Sequence, residues 1–301
     1  MVLNYPKVSI IILNWNNYED TKECLLSLDK ITYPNYEVIV VDNGSIDGST
    51  LKIQKEFPQH KYIYNKDNLG FTGGNNVGME YVMKKGADFV LVLNNDVGVE
   101  KNFLELLIDI ALKDPDVGIV GPAIYFYYEP EKLSPTGCKI NYWRINTKVY
   151  DSVKPTEMDW VYGCCLLVKK EVINKIGYFY TPFFISYEDV DYCVRAKKAG
   201  FKVIYEPKSR IWHKSGNSLK KSPTSYYYYF NRNKLLFIKR NAPVCIKYFF
   251  YFYFSSYLIF RILEKLIKRD TVAAFAIKDA LIDFWTENFG KQKKLSRKHE
   301  I

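Results

Sequence analysis

Between Pro207 and Phe260 the sequence contains no acidic residue, although ten basic ones fall there. That gap excludes an evenly mixed charged surface for this stretch and points to anionic partners: phosphates, nucleic acid or an anionic lipid face. A hydrophobic run long enough to cross a bilayer is also missing there. Tyr248–Phe260 is 13 uncharged residues, short of the roughly 20 that a spanning helix needs. The six cysteines, at 24, 138, 164, 165, 193 and 245, include no CxxC pair, which argues against a disulfide framework in a chain of this size. Cys24, Cys164, Cys165 and Cys193 sit in apolar patterns and read as small core residues. The opening Met-Val-Leu-Asn-Tyr-Pro-Lys has neither the basic nor the apolar region of a signal peptide, so the folded part is expected in the cytoplasm.

What is present suits a globular protein. Hydrophobic residues at 48% and charged residues at 25% of 301 positions allow a sizeable core, in one large domain with an appendage or two modest ones. The charge is uneven. Residues 1–206 hold 23 Lys/Arg against 27 Asp/Glu, or −4, whereas residues 207–301 hold 20 against 6, or +14. The same C-terminal third gathers the aromatics, with fifteen Tyr/Phe between 226 and 260.

The first half alternates strand and helix patterns. Val8–Leu13 is a short apolar run suited to a strand buried on both faces, and a helical stretch with Cys24, Leu25 and Leu28 on one side follows it. Further strands are expected at Glu37–Val41, Lys61–Tyr64, Asp88–Leu93 and Val117–Val120, with helices at Thr50–Phe57, Gly73–Lys84 and Phe103–Leu112. This alternation predicts an α/β fold with a mostly parallel sheet and right-handed crossovers. Ligands of such sheets sit beyond the carboxyl ends of the strands. The polar residues there are Asn14 and Asn16, Asp42 and Asn43, Asn68, and Asp96. From about 123 to 168 the pattern changes to short strands and turns. Helices at Lys170–Ile176 and Glu188–Ala199 follow, then strand-like Phe201–Tyr205 and Arg210–Trp212. From Ser225 the chain reads as helical, broken at Asn241-Ala242-Pro243, and the last dozen residues, a basic stretch, are expected to fray. The expected division is 1–222 and 223–301.

Several segments carry chemistry. Asp42 closes a buried strand, where a carboxylate accepts hydrogen bonds from a ribose or a base edge, or simply makes a turn. Asn68-Leu-Gly-Phe-Thr-Gly-Gly-Asn-Asn76 places glycines at a helix start. Free N–H groups there attract an anion, and glycines there equally permit close helix–strand packing. The segment is neither GxGxxG nor a P-loop. Asn94-Asn95-Asp96 puts oxygen ligands at a strand end, as Mg²⁺ or Mn²⁺ sites do when substrate phosphates complete the shell. Tyr187-Glu188-Asp189-Val190-Asp191 places three acids within four positions at a helix start. They complement the helix dipole. Beside the apolar Phe183, Phe184 and Ile185, burial would also raise a carboxylate pKa towards that of a general base. His213 and Lys214 follow a strand-like run.

In this order, VSIIILNWN, VVDNGSIDGS, NLGFTGGNN, LNNDV, GCCLLVKKEVINKIGYF and YEDVDYCVRAKKAGFKVIYEP followed by WH resemble glycosyltransferase family 2, the inverting enzymes of GT-A fold, and within it the rhamnosyltransferase-like branch. The resemblance runs from about Val8 to Arg240. It implies a nucleoside-diphosphate sugar donor, UDP- or dTDP-linked, and a glycan or lipid-linked acceptor. Asn14, Asn16, Asp42, Asn68 and Gly70 would serve the nucleotide, with Asn95 and Lys214 beside the donor. Asp96 and His213 would hold Mg²⁺ or Mn²⁺. Asp189 would be the catalytic base, with Glu188 as its neighbour. Asn94 stands where the stricter metal motif has Asp, which lowers the carboxylate count. The alternatives are a sugar nucleotidyltransferase, whose glycine- and arginine-rich signature is absent near the N-terminus, and a non-catalytic sugar-nucleotide binder.

The aromatic, basic C-terminal region suits the headgroup boundary of a membrane, where each nearby basic residue adds about 1 kcal/mol on anionic lipid. The expectation is a helix pair lying on the inner face of the cell membrane and bringing the site to its acceptor, without nucleic-acid binding. Helices packed on the catalytic part or on a second subunit, giving a dimer, are the alternative.

Overall fold

The computed structural model describes residues 5–134, 136–142, 146–149, 152–214 and 223–293. The first half alternates β1 (Val8–Asn14), α1 (Tyr18–Leu28), β2 (Tyr36–Asp42), α2 (Ser49–Glu56), β3 (Lys61–Tyr64), α3 (Gly70–Lys84), β4 (Phe89–Asn94), β5 (Val97–Val99), α4 (Phe103–Lys113) and β6 (Val117–Phe126). Short strands follow: β7 (Glu129–Leu133), β8 (Gly137–Asn141), β9 (Asn146–Val149), β10 (Thr156–Met158), β11 (Trp160–Val161) and β12 (Cys165–Lys169). Then come α5 (Lys170–Ile176), a 3-10 turn (Thr181–Phe183), α6 (Glu188–Lys198) and β13 (Lys202–His213). Three helices complete the described chain: α7 (Pro223–Asn241), α8 (Val244–Ile267) and α9 (Thr271–Trp285).

Ten strands form one sheet in the order β10-β13-β6-β12-β4-β1-β2-β3, with β5 on β13 and β7 on β6. β3, β2, β1 and β4 are mutually parallel, as are β6 and β13, and β12 runs antiparallel between the two groups. A separate three-stranded sheet has the order β11-β8-β9. Alternation along β1 explains the layers. Val8, Ile10 and Ile12 face one core with α1 and α4, and Ile11 faces the other with α3 and α6. Both faces are buried, so β1 reads as a continuous apolar run. Each buried Ile or Val contributes about 1.5–3 kcal/mol.

The expected elements stand, most of them with shifted ends. Helix α3 starts at Gly70 and not at Gly73, because Gly70 has φ +73° and turns the chain into the helix. The two strand-like runs near 201–212 are one strand, β13, whose register against β6 shifts between Glu206 and Arg210. Pro207 lies in that shift and has no N–H to donate. Beyond the shift, β13 pairs with β5, His213 opposite Val97. The C-terminal helices number three among the described residues, the additional break falling at 268–270. The expected division at 222/223 adjoins residues outside the described set, and most of the C-terminal stretch expected to fray lies outside it. All four cysteines read as core are buried, and Cys138 joins them.

Candidate active site

The register of the parallel strands aligns their carboxyl ends. Asn14 lies opposite Asp42 across β1 and β2, and Leu13 lies opposite Asn94 across β1 and β4. Asp42 is 7% exposed, and its Oδ1 accepts from Ser45 N at 3.0 Å. Asn16 is exposed with φ +49°. Its N–H donates to Ser45 Oγ at 3.0 Å, and its Oδ1 accepts from Ile46 N at 2.9 Å. These contacts shape the Asp42–Ser45 turn and leave Asn16 at its rim.

Asn14 and Asn95 are committed internally. Asn14 is fully buried. Its Nδ2 donates to Ser49 Oγ (3.0 Å) and Thr50 Oγ1 (2.7 Å), while its Oδ1 accepts from Thr21 Oγ1 (2.9 Å). Asn95 Nδ2 donates to the same Thr21 hydroxyl at 2.8 Å. The chain Asn95–Thr21–Asn14–Thr50 therefore ties α1 and α2 beneath the strand ends. Asn43 has a similar part: its Oδ1 accepts from Asn65 and Leu69 N, and its Nδ2 donates to Asn68 Oδ1 and Gly70 O. Asn68 Oδ1 in turn accepts from Gly70 N at 2.8 Å.

The glycines of α3 follow the packing reading. A Cβ on Gly70 would fall 2.5 Å from Phe184, one on Gly74 2.4 Å from Leu13, and one on Gly78 2.7 Å from Ile11. The N–H of Thr72 donates to Phe184 O at 3.2 Å. The first turn of α3 is thus covered by the loop before α6.

Asp96 and His213 meet because β5 pairs with β13. Asp96 Oδ1 lies 3.1 Å from His213 Nε2, at ion-pair distance. This oxygen is buried and has no partner in hydrogen-bond geometry. Asn94 Nδ2 is 3.5 Å from the same ring nitrogen. Burial opposes charge on the His213 ring, but Cys164 and Asp96 outweigh it and raise its pKa to about 10. A carboxylate oxygen beside an imidazole nitrogen would suit a divalent cation such as Mn²⁺ once the ring has lost its proton, since only neutral imidazole ligates. Among the described residues no cluster of three or more His, Cys, Asp or Glu side chains could hold a metal unaided.

Lys214 points elsewhere. Its Nζ is held by Asp20 Oδ1 (2.7 Å) and Glu23 Oε2 (2.5 Å) of α1 and sits 4.7 Å from the Tyr127 ring centroid. These groups border a cavity of about 290 Å³ that reaches Asp96. Asp189 does not line it.

The acids of α6 divide into three fates. Glu188 is 7% exposed, and its Oε2 is buried without a hydrogen-bond partner. Burial first, and then Asp189, push its pKa well above the usual carboxylate range. Asp189 is half-buried. Its Oδ2 accepts from Gly163 N at 2.9 Å and its Oδ1 from Val190 N at 2.8 Å. Burial raises its pKa, and the two amides partly offset that. Asp191 is wholly buried and structural: Arg195 Nε (2.9 Å), Arg240 Nε (3.0 Å) and Asn241 Nδ2 (2.8 Å) all converge on it.

The two charged centres share a short bridge. Gly163 N binds Asp189, and its neighbour Cys164 accepts Asn94 N at 2.9 Å and lies against His213. Adjacent Cα atoms are about 3.8 Å apart, so the base candidate and the metal candidate flank one dipeptide before β12.

Sequence reasoning missed Arg232 and Asn233 of α7, both fully buried. They grip the loop that precedes Glu188. A signal was present: the stripe Tyr229, Asn233, Phe237 recurs every four residues, setting one polar side chain in an apolar face.

In an α/β sheet ligands bind beyond the carboxyl ends of the strands, where the charged groups of this chain gather. The family model described as Glycosyl transferase family 2 matches residues 9–177. The chain belongs to this family and is a glycosyltransferase. It is 26% identical over 239 residues to the N-acetylglucosaminyl-diphospho-decaprenol L-rhamnosyltransferase of Mycobacterium tuberculosis, covering 71% of this chain and 78% of that one. It is 23% identical over 246 residues to the dTDP-rhamnosyl transferase RfbF of Shigella flexneri, covering 78% and 81%. The mannosyltransferase PcManGT from Pyrobaculum calidifontis, solved with GDP-Man and Mn²⁺, superposes with a TM-score of 0.60 at 13% identity over 95% of this chain and 89% of that one. The fold is GT-A.

Proposed function

We propose that this glycosyltransferase moves a hexose or deoxyhexose, rhamnose from a dTDP donor being the first candidate, to a hydroxyl of a glycan or lipid-linked acceptor with inversion at the anomeric carbon. The supporting observation is the convergence of Asp189 and the Asp96–His213 pair on Gly163 and Cys164. Asp42 and Asn16 at the strand ends would receive the nucleoside. Asn14, Asn95 and Asn68 would hold the floor beneath it, and Gly70 would let the loop before α6 close over α3.

An alcohol is a poor nucleophile at neutral pH, so a base must take its proton as it attacks. Asp189 suits that role. The Gly163 amide fixes its Oδ2, and burial raises its basicity while leaving it only partly buried. Glu188, deeper and unpartnered, would keep its proton and so spare Asp189 a second negative neighbour. Mg²⁺ or Mn²⁺, held by Asp96 and His213 and completed by phosphate oxygens, would supply positive charge to the leaving diphosphate. Lys214, bound by Asp20 and Glu23, contributes to the field from the flank.

Helix α8 supplies a surface. Tyr248, Phe252, Tyr253 and Phe260 are exposed on it, and Lys268 and Arg269 end it. No described helix is long and apolar enough to cross a membrane. We assign this face to an anionic lipid surface at the inner face of the membrane, where interfacial aromatics and basic residues act together. Sedimentation with anionic and neutral liposomes tests it. Concentration-dependent dimerisation without liposome binding would transfer the face to a second copy.

The central test is a thermal-shift panel of nucleoside diphosphates and nucleotide sugars with and without Mn²⁺, followed by transfer assays. Metal-dependent stabilisation by one nucleoside diphosphate is expected. Absence of any shift, or loss of neither transfer nor donor turnover in Asp189→Asn, would overturn the reading.

A further inference from the structure

The loop that leads into α6 is held against its own backbone preference. Phe184, Ser186 and Tyr187 have φ of +65°, +72° and +70°, the left-handed region that disfavours side chains with a Cβ. Three such residues in four positions persist only where their surroundings over-determine them. Glu188 and Asp189 follow immediately.

Those surroundings come from both sides, and most of the polar ones lie on α7. Arg232 Nη2 donates to Pro182 O (3.0 Å) and Phe183 O (3.2 Å), and its Nη1 donates to Gly290 O (2.7 Å). Asn233 Nδ2 donates to Phe183 O (2.7 Å), Ile185 O (2.7 Å) and Ser186 O (2.9 Å). Arg232 Nε donates to Asn233 Oδ1 at 3.0 Å, which fixes the amide with its donors towards the loop. The remaining carbonyl, Phe184 O, accepts from Thr72 N of α3. Each loop carbonyl from 182 to 186 thus has a partner, as buried backbone requires. Tyr229 stacks on Phe184 with ring centroids 5.2 Å apart, and Phe237 lies 5.9 Å from Tyr187.

Helix α7 has other means of attachment. Leu235, Leu236, Phe237 and Ile238 are buried, and Arg240 and Asn241 bind Asp191. A buried guanidinium and amide are expensive to desolvate, and apolar side chains would serve plain docking at less cost. Apart from the bond of Arg232 Nη1 to the Tyr228 hydroxyl on the same helix (3.1 Å) and the one between the two side chains, the pair's bonds run to the strained loop and to the Gly290 end that also binds it through Pro182 O. We infer that Arg232 and Asn233 are positioning residues for the transfer reaction: by holding the carbonyls of 182–186, they fix the turn that presents Asp189 to the acceptor hydroxyl. The inference rests on Asp189 being the base.

Asn233→Asp tests it, since the isosteric carboxylate offers acceptors where the carbonyls need donors. With the donor chosen by the thermal-shift panel, kcat should fall roughly 10²-fold, the scale of a misplaced catalytic group. The donor KM should stay within about twofold, because uniform donor binding is not removed. Hydrogen exchange should accelerate in 183–189 and remain unchanged in β1 and β4. Arg232→Lys, which keeps donors but loses the planar fork, should lose less kcat than Asn233→Asp. Lys239→Ala, on the same helix but bound to Glu287, should leave both kcat and loop exchange unaltered. Unchanged kcat and exchange in Asn233→Asp would overturn the inference, as would kcat and KM changing together with loop exchange unaltered. Transfer surviving in Asp189→Asn would instead remove the base assignment, while the exchange measurement would still report whether Asn233 holds the loop.

Discussion

Helices α7 and α8 are both rich in aromatics, yet they bury them on different grounds, and each also leaves some exposed, Tyr226 and Phe230 on α7 among them. In α7, Tyr228 and Tyr229 are 0% and 4% exposed. The Tyr228 hydroxyl donates to Asp283, and the Tyr229 hydroxyl accepts from Gln292 N. In α8, Ile246, Phe250, Phe254 and Leu258 form a buried stripe every four residues, while Tyr248, Phe252, Tyr253 and Phe260 face outward. Aromatic composition therefore does not decide burial. A tyrosine is buried where its hydroxyl finds a partner, and α7 has such partners on α9 and the segment after it. On α8 the period of the stripe leaves the other half of the helix uncovered.

The largest expected effect concerns what α7 serves. Asp189→Asn should lower kcat by about 10²–10⁴-fold, the range for a general base, with donor affinity retained in calorimetry. Next is the buried side of α8: Phe254→Ala should cost about 3–5 kcal/mol in denaturant unfolding, from lost transfer energy and a cavity. Glu188→Gln probes the loop that α7 grips. Its folded-state pKa lies above the unfolded value, so the carboxyl contributes most below its unfolded pKa. That contribution is lost as pH rises through the folded pKa. The amide should thus stabilise the protein at pH 8 by about 1–3 kcal/mol, the cost of an unpaired buried group, and flatten melting temperature against pH. Smallest for stability is the outer side of α8. Phe252→Ser should change unfolding by no more than about 0.5 kcal/mol while reducing liposome binding. A large stability loss there would show that the two faces of α8 are not distinct.

Periodicity made the parallel half of the fold legible. Lys61–Tyr64 and Lys170–Ile176 keep their expected limits, because apolar alternation and breakers act locally. The strand-end residues were legible as a set, since topology alone brings Asp42, Asn94 and Asp96 to one edge. What each side chain does there was not. Asn14 and Asn95 share Thr21, and Lys214 is taken by Asp20 and Glu23 some 190 positions away. Such partners depend on packing between elements, which has no local signature. The merger of two short runs into β13 and the clamp by Arg232 and Asn233 were hidden for the same reason. The aromatic run Tyr226–Phe230 looked like membrane surface, and its buried members are core.

The bond between Asp191 and the pair Arg240–Asn241 has a practical consequence for building hybrids. The third acid of the motif carries two guanidinium partners, one on its own helix and one on α7. Exchanging the tail of this enzyme for that of a relative would strand a wholly buried carboxylate unless residues 181–195 travelled with it. The natural seam for a swap therefore lies before the 3-10 turn at Thr181, on the catalytic side of the acids, and not at the start of the C-terminal helices.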